Sequence, residues 1–193
     1  MEKTVPPRPA LEPAQLEALR SQTLVLVGMM GAGKSSVGKR LAAALDLPFR
    51  DADEEIERAA GCTISEIFAV RGEAEFREGE RRVIARLLDE APHVLATGGG
   101  AFMNDATRAL VKRKGFSIWL KADPEVLARR VGRKDNRPLL KGQDPRQVLI
   151  DLLEKRGPTY AQADLIVESS EGPHQGTVET IIAALKERLE TQA

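Results

Sequence analysis

Hydrophobic positions along this chain come in two kinds of run. Compact apolar runs read as strands at 23–27 (Thr-Leu-Val-Leu-Val), at a short stretch 48–50, and at 93–97, 116–120 and 164–168. Between them lie longer stretches with helical spacing: 34–46, 53–60, a long one within 63–90, then 104–114, 124–132, 144–156 and 176–191. Asp123-Pro124 and Asp144-Pro145 each supply a capping acid followed by a first-turn proline. This alternation predicts an α/β fold, a parallel sheet covered by helices. No internal repeat interrupts it. Residues 1 to about 13 carry Pro6, Pro7, Pro9 and Pro13 and read as an extended tail, followed by a short helix around 14–21. The expected organisation is that N-terminal piece (1–20) and a single domain over 21–193. Residues 132–143 read as an exposed basic flap, with a glycine at either end to hinge it.

Composition narrows the function classes. The chain has 193 residues, 42% hydrophobic and 30% charged, enough for one domain with a full core. Lys+Arg and Asp+Glu both number 29, so there is no basic surplus for a nucleic-acid surface. Aromatics make up 4% and are scattered, which leaves no base-stacking platform. The lone Cys62 cannot form an internal disulfide and suits a reducing cytoplasm. No run is long or apolar enough to span a membrane, and the N-terminus lacks an apolar signal core.

Residues 28–35 read Gly-Met-Met-Gly-Ala-Gly-Lys-Ser. They follow the first strand and precede the first long helix, the context of a phosphate-binding loop. Gly28, Gly31 and Gly33 let the backbone approach an anion closely. The loop N–H groups form a nest, and the next helix offers its positive end. In this reading Gly31, Ala32, Gly33, Ser35 and Ser36 cradle phosphates, Lys34 reaches the β- and γ-phosphates, and the Ser35 hydroxyl binds Mg²⁺. Met29 and Met30 have no assigned role.

Other constellations are more open. Asp51 and Asp53 close the second strand, where ligands sit in open α/β sheets. Alternation in an extended chain puts them on one side, as an outer Mg²⁺ ligand and an acceptor for a substrate hydroxyl. Equally, Asp53 merely caps the helix starting Glu54-Glu55. Gly98-Gly99-Gly100 admits either a ligand approaching bare backbone or a flexible turn. Arg77 is a solvated arginine or a ligand, and Arg156, before Gly157-Pro158, could pair with helix-end carbonyls. Arg137, in the flap, suits a cation that swings over a γ-phosphate. His93 and His174 have no acid or nucleophile at useful spacing and read as structural or surface residues. Gly79 within a helix costs about 1 kcal/mol against Ala, with no functional account.

Together the motifs Gly28–Ser35, Asp51-Ala-Asp53, Ile67-Phe68, Gly72-Glu73-Ala-Glu75-Phe76-Arg77, Gly98–Gly100, Arg137-Pro-Leu-Leu140 and Arg156-Gly-Pro-Thr-Tyr160 resemble the shikimate kinase family. They fall in family order over roughly 22–168. The resemblance implies a three-layer P-loop kinase fold of the nucleoside-monophosphate-kinase type. Its five-stranded parallel sheet would carry a substrate-binding subdomain at about 54–82 and a lid at about 132–143. It implies ATP-dependent phosphorylation of the 3-hydroxyl of shikimate, on the way to chorismate and the aromatic amino acids, by a cytoplasmic monomer with one Mg²⁺. Lys34, Asp53 and Arg137 are then catalytic. Asp53 accepts bonds from shikimate hydroxyls, Arg77 and Arg156 clamp its carboxylate, Phe68 and Phe76 wall the pocket, and Gly98, Gly99 and Gly100 contribute backbone. Ser35 holds Mg²⁺ directly and Asp51 through water. Arg137 covers the phosphates and Arg130 lies against adenine. A P-loop kinase of another hydroxylated acid, such as gluconate, is the alternative. A regulatory GTPase is disfavoured, since no Asp-x-x-Gly or Asn-Lys-x-Asp occurs.

Overall fold

Five strands form one parallel sheet, ordered β2-β3-β1-β4-β5: β1 Thr23–Val27, β2 Phe49–Asp51, β3 Val94–Ala96, β4 Gly115–Lys121 and β5 Leu165–Glu168. The computed structural model describes residues 11–131, 144–169 and 172–192. The expected lid at 132–143, with Arg137, and most of the expected tail lie outside the described residues.

β1 is central because both its faces are covered. All five of its residues are buried, which explains an unbroken apolar run instead of an alternating one. Eight helices flank the sheet among the described residues: α1 Pro13–Arg20, α2 Lys34–Leu45, α3 Ala52–Ala60, α4 Ile64–Leu87, α5 Asp105–Lys114, α6 Pro124–Val131, α7 Pro145–Tyr160 and α8 His174–Gln192. Helix α2 packs with α1 and α8, while α4 packs with α5 and α7 closes over the 3₁₀ turn Ala101–Met103. Leu24, Leu26, Leu41, Leu45, Ile84, Leu87 and Ile118 are among the side chains sealed in the core. Because every strand runs the same way, the carboxyl ends of β1, β2 and β3 open on one edge, where ligands collect.

Several boundaries differ from expectation for local reasons. Asp51 ends β2 and its carboxylate accepts from the Asp53 N–H, so Asp51 is the helix cap and Asp53 already lies in the first turn of α3. The alternation argument for this pair therefore fails, since Ala52 is helical. The long helix breaks at Gly72 (φ 79°, ψ 173°), which the sequence reading did not expect, and runs unbroken through Gly79. Helix α7 does not stop before Gly157-Pro158 but runs through Pro158 to Tyr160, where the fully buried Tyr160 side chain anchors its end.

Helix α3 is tied to α4 through Glu55, which is buried beside Arg58 and bonded at 2.8 Å to Arg86. The hydrogen bond from Arg86 holds the Glu55 carboxyl below its ordinary value of 4.5, against the opposing effect of burial. A depressed carboxylate stabilises the fold fully above pH 4.5 and loses that contribution as pH falls through its folded value. Wild type should therefore melt above Glu55→Gln at neutral pH, and the gap should close below pH 4.5. Thermal melts from pH 7 to 3 check this; a gap that persists at pH 3 would exclude the ion pair as its source.

Candidate active site

The loop between β1 and α2 adopts its shape through glycine where no other residue fits. Gly28 has φ +137°, and a Cβ there would sit 2.7 Å from the Leu120 carbonyl oxygen. Gly33 caps α2 at φ +90°. The Lys34 side chain is nearly sealed, and its ammonium donates to the carbonyls of Gly28 and Met29 at 2.8 and 2.9 Å, spanning the loop. Ala32 is buried, with its N–H donating to the Met29 carbonyl. Met29 packs in the core, whereas Met30 faces the cleft.

A cleft of about 490 Å³ opens over this loop. Gly31, Gly33, Lys34, Ser35 and Ser36 line its floor, Asp51 and Asp53 one wall, Gly98 and Gly99 another, and Arg130 and His174 a third. Ser35 Oγ donates to Asp51 Oδ2 at 2.6 Å. Two hard oxygens in contact suit Mg²⁺, which keeps most of its shell as water and phosphate oxygen and needs few protein ligands. No cluster of three or more His, Cys, Asp or Glu occurs among the described residues, so no all-protein cage competes with this pair. Arg130 reaches the Gly31 carbonyl and Ser169 Oγ, both at 3.3 Å.

The glycine triplet organises the other half. It makes room chiefly for protein side chains, a sharper role than the bare approach surface expected. A Cβ at Gly98 would lie 2.7 Å from Glu80 Oε1 and 3.0 Å from Asp53 Oδ1. A Cβ at Gly100 would lie 2.6 Å from a guanidinium nitrogen of Arg77. The Gly99 carbonyl accepts from Arg156 at 3.2 Å and from the Tyr160 hydroxyl. Arg156 thus points across α7 into this half, and does not cap a helix end as one reading of the sequence allowed. Arg77 pairs with Glu80 at 2.8 Å and Glu73 at 3.2 Å. Its guanidinium lies 5.0 Å over the Phe76 ring, which packs against Phe68 in a tilted pair, 4.6 Å between centroids. So Asp53, Arg77, Arg156 and the triplet come together, with Phe68 and Phe76 behind Arg77.

The shikimate kinase family model matches residues 30–186. A shikimate kinase from Caulobacter vibrioides is 64% identical over 172 residues, covering 89% of this chain and 86% of that relative. The chain belongs to the shikimate kinase family. Among solved structures, shikimate kinase from Acinetobacter baumannii in complex with shikimate superposes with a TM-score of 0.84 at 38% identity, covering 90% of this chain and 98% of that one. A gluconokinase from Sinorhizobium meliloti reaches a TM-score of 0.57 at 21% identity, covering 90% of this chain and 98% of its own, which is a likeness of fold alone.

Three residues of this shikimate kinase family member had no site role in the sequence reading. Glu80 is 3% exposed, yet only its Oε2 is bonded and Oε1 has no partner. Burial pushes its carboxyl above 4.5, opposed by Arg77 and reinforced by the charge of Asp53. The i,i+3 spacing from Arg77 was the available signal. Burial pushes Tyr160 up to about 12, and its ring stacks on Trp119 at 5.6 Å. His174, expected to be structural or superficial, lies against the phosphate loop: a Cβ on Gly33 would come within 2.9 Å of its ring. Burial, then the charges of Arg130 and Arg40, lowers its pKa below 6.5, so the ring is neutral at pH 7. No spacing rule linked it to residue 33, because 141 positions of chain separate them.

Proposed function

We infer that the protein transfers the γ-phosphoryl group of ATP to the 3-hydroxyl of shikimate, in the route to chorismate and the aromatic amino acids. The observation that carries this is the meeting of a phosphate loop with Arg77, Arg156 and Asp53 around one glycine triplet. A small hydroxylated carboxylate answers that arrangement: planar guanidinium groups match a carboxylate, and Asp53 matches a hydroxyl. Nothing specific favours gluconate, whose kinases share the fold with this chain only at low identity.

In this reading Lys34 neutralises charge on the transferred group, while the loop amides of Gly31–Ser36 hold the phosphates. Ser35 and Asp51 would hold Mg²⁺, which neutralises phosphate oxygens when bound. Asp53 accepts the hydrogen bond of the attacking hydroxyl. The P–O bond to the leaving ADP breaks as the bond to that hydroxyl oxygen forms, and the hydroxyl proton is released. Arg130 is our choice for the base of the nucleotide, and Arg137 of segment 132–143 our choice for its terminal phosphates. Segment 54–82 acts as the acceptor-binding subdomain and 132–143 as the lid. The single Cys62 suits a cytoplasmic protein and the balanced charge one that engages no nucleic acid, and the family resemblance implies a monomer.

Coupled ADP release with ATP and Mg²⁺ tests the reading across shikimate, gluconate, a nucleoside monophosphate and no acceptor. Turnover with shikimate alone is expected; equal ADP release with every acceptor, or with none, would overturn it. A finer test is Gly100→Ala. Residue 100 has φ −102° and ψ −12°, a negative φ that does not demand glycine, so the backbone should hold. The new methyl group would displace the Arg77 guanidinium. The expected result is a raised KM for shikimate with kcat nearly unchanged and a lower melting temperature at pH 7, since the same guanidinium pairs with buried Glu80; an unchanged KM would detach Arg77 from the acceptor.

A further inference from the structure

A second cavity, of about 330 Å³, lies between α3 and α4, outside the phosphate-loop cleft. It exists because Ala59 and Ala60 carry only methyl groups and Gly79 no side chain at all. A Cβ at Gly79 meets nothing within 4 Å. The floor is apolar, formed by Ile56, Ile67, Phe76 and Val83. Around it stand three cations, Arg71, Arg82 and Arg86, and one anion, Glu75. Arg86 is engaged by Glu55 and Glu90, and Arg71 by Glu75. Exposed Arg82 has no hydrogen bond or ion pair among the described residues, and is felt only as a charge near Glu78.

We propose that this cavity binds a small monoanion with an apolar ring, an aromatic carboxylate or sulfonate, with its ring on the Ile56–Phe76–Val83 floor and its charge beside Arg82. The volume suits a small molecule, since ligand pockets begin near 300 Å³. An apolar floor beside one arginine that no carboxylate among the described residues pairs selects an apolar body carrying a single negative charge. A purely polar anion would leave the floor wet, and a neutral hydrocarbon would leave Arg82 unused. The site also explains Gly79: within a helix it costs about 1 kcal/mol against Ala, and its missing side chain is what keeps the cavity open. The floor residue Phe76 packs tilted against Phe68 and carries the Arg77 guanidinium over its ring, so an occupant touches the ring that backs the acceptor half.

The probe is 8-anilinonaphthalene-1-sulfonate, followed by fluorescence on the full chain with saturating ADP–Mg²⁺ and shikimate in the cleft, a pair that cannot react. Saturable one-site binding is expected. Arg82→Gln should weaken it roughly fivefold, the scale of an exposed charge pair. Gly79→Leu should abolish it while the melting temperature holds or rises, because leucine fills open space and favours the helix. The proposal is overturned by absence of saturable binding in wild type, by unchanged affinity in a folded Gly79→Leu protein, or by displacement of the probe when ADP–Mg²⁺ and shikimate fill the cleft. The binding arm does not require shikimate to be the true acceptor, so its failure and that of the kinase reading separate cleanly.

Discussion

Replacing Lys34 with Met is expected to lower turnover by about 100- to 1,000-fold, the loss that follows removal of one preorganised charge-stabilising donor. Phosphoryl transfer asks for little covalent help and much positive charge around the migrating group. Lys34 is the cation built into the loop itself, where its ammonium already spans the Gly28 and Met29 carbonyls. Methionine keeps the length and apolar stem of the side chain but not the charge. The loop carbonyls it abandons belong to buried Gly28 and Met29, so the melting temperature should fall by the cost of two lost buried bonds while circular dichroism keeps the folded signature. Steady-state ADP release with shikimate is the measurement. Near-wild-type turnover in a folded Lys34→Met protein would end the assignment of this loop to the γ-phosphate.

Arg77→Ala should cut kcat/KM for shikimate by about 10- to 150-fold, mostly through KM, because a hydrogen bond to a charged group is worth roughly 1.5–3 kcal/mol. The same change should disturb the fold in a pH-dependent way. Glu80 is buried and its carboxyl is already raised above 4.5, with Arg77 as its main counterion. Without Arg77 it rises further. A carboxyl raised in the folded state contributes stability below its unfolded value and loses it as pH climbs through the folded one. Arg77→Ala should therefore be most destabilised relative to wild type at neutral pH and recover toward pH 4.5. Adding Glu80→Gln should restore the melting temperature at pH 7 without restoring KM. If both recover together, Arg77 supports the fold and does not bind the acceptor.

The phosphate loop was legible because its constraints are local. Gly28 and Gly33 need positive φ, and Lys34 and Ser35 follow at fixed spacing on one helix turn, so strand, loop and helix are written consecutively. The strand runs were legible for a similar reason: a β1 buried on both faces must be apolar throughout. The glycine triplet was visible as a motif, but its purpose was not. Gly98 and Gly100 are bare because Glu80, Asp53 and Arg77 arrive from elsewhere in the chain. Asp51 and Asp53 were read as a strand pair. They share the cleft because the chain turns into a helix between them, with Asp51 as its cap.

From sequence alone follow the α/β class, the phosphate loop, and an ordered motif set specific enough to name a family. All of these rest on neighbours in the chain or on spacing along it. Tertiary structure decided what meets across distance: His174 against Gly33, Arg156 and Tyr160 on the Gly99 carbonyl, and Glu80 sealed beside Arg77. It also decided that Gly79 overlooks a cavity while Gly72 breaks the helix. The physical reason is that backbone preference acts within a few residues, whereas burial and the pairing of charges are set by whichever surfaces the packed helices bring together.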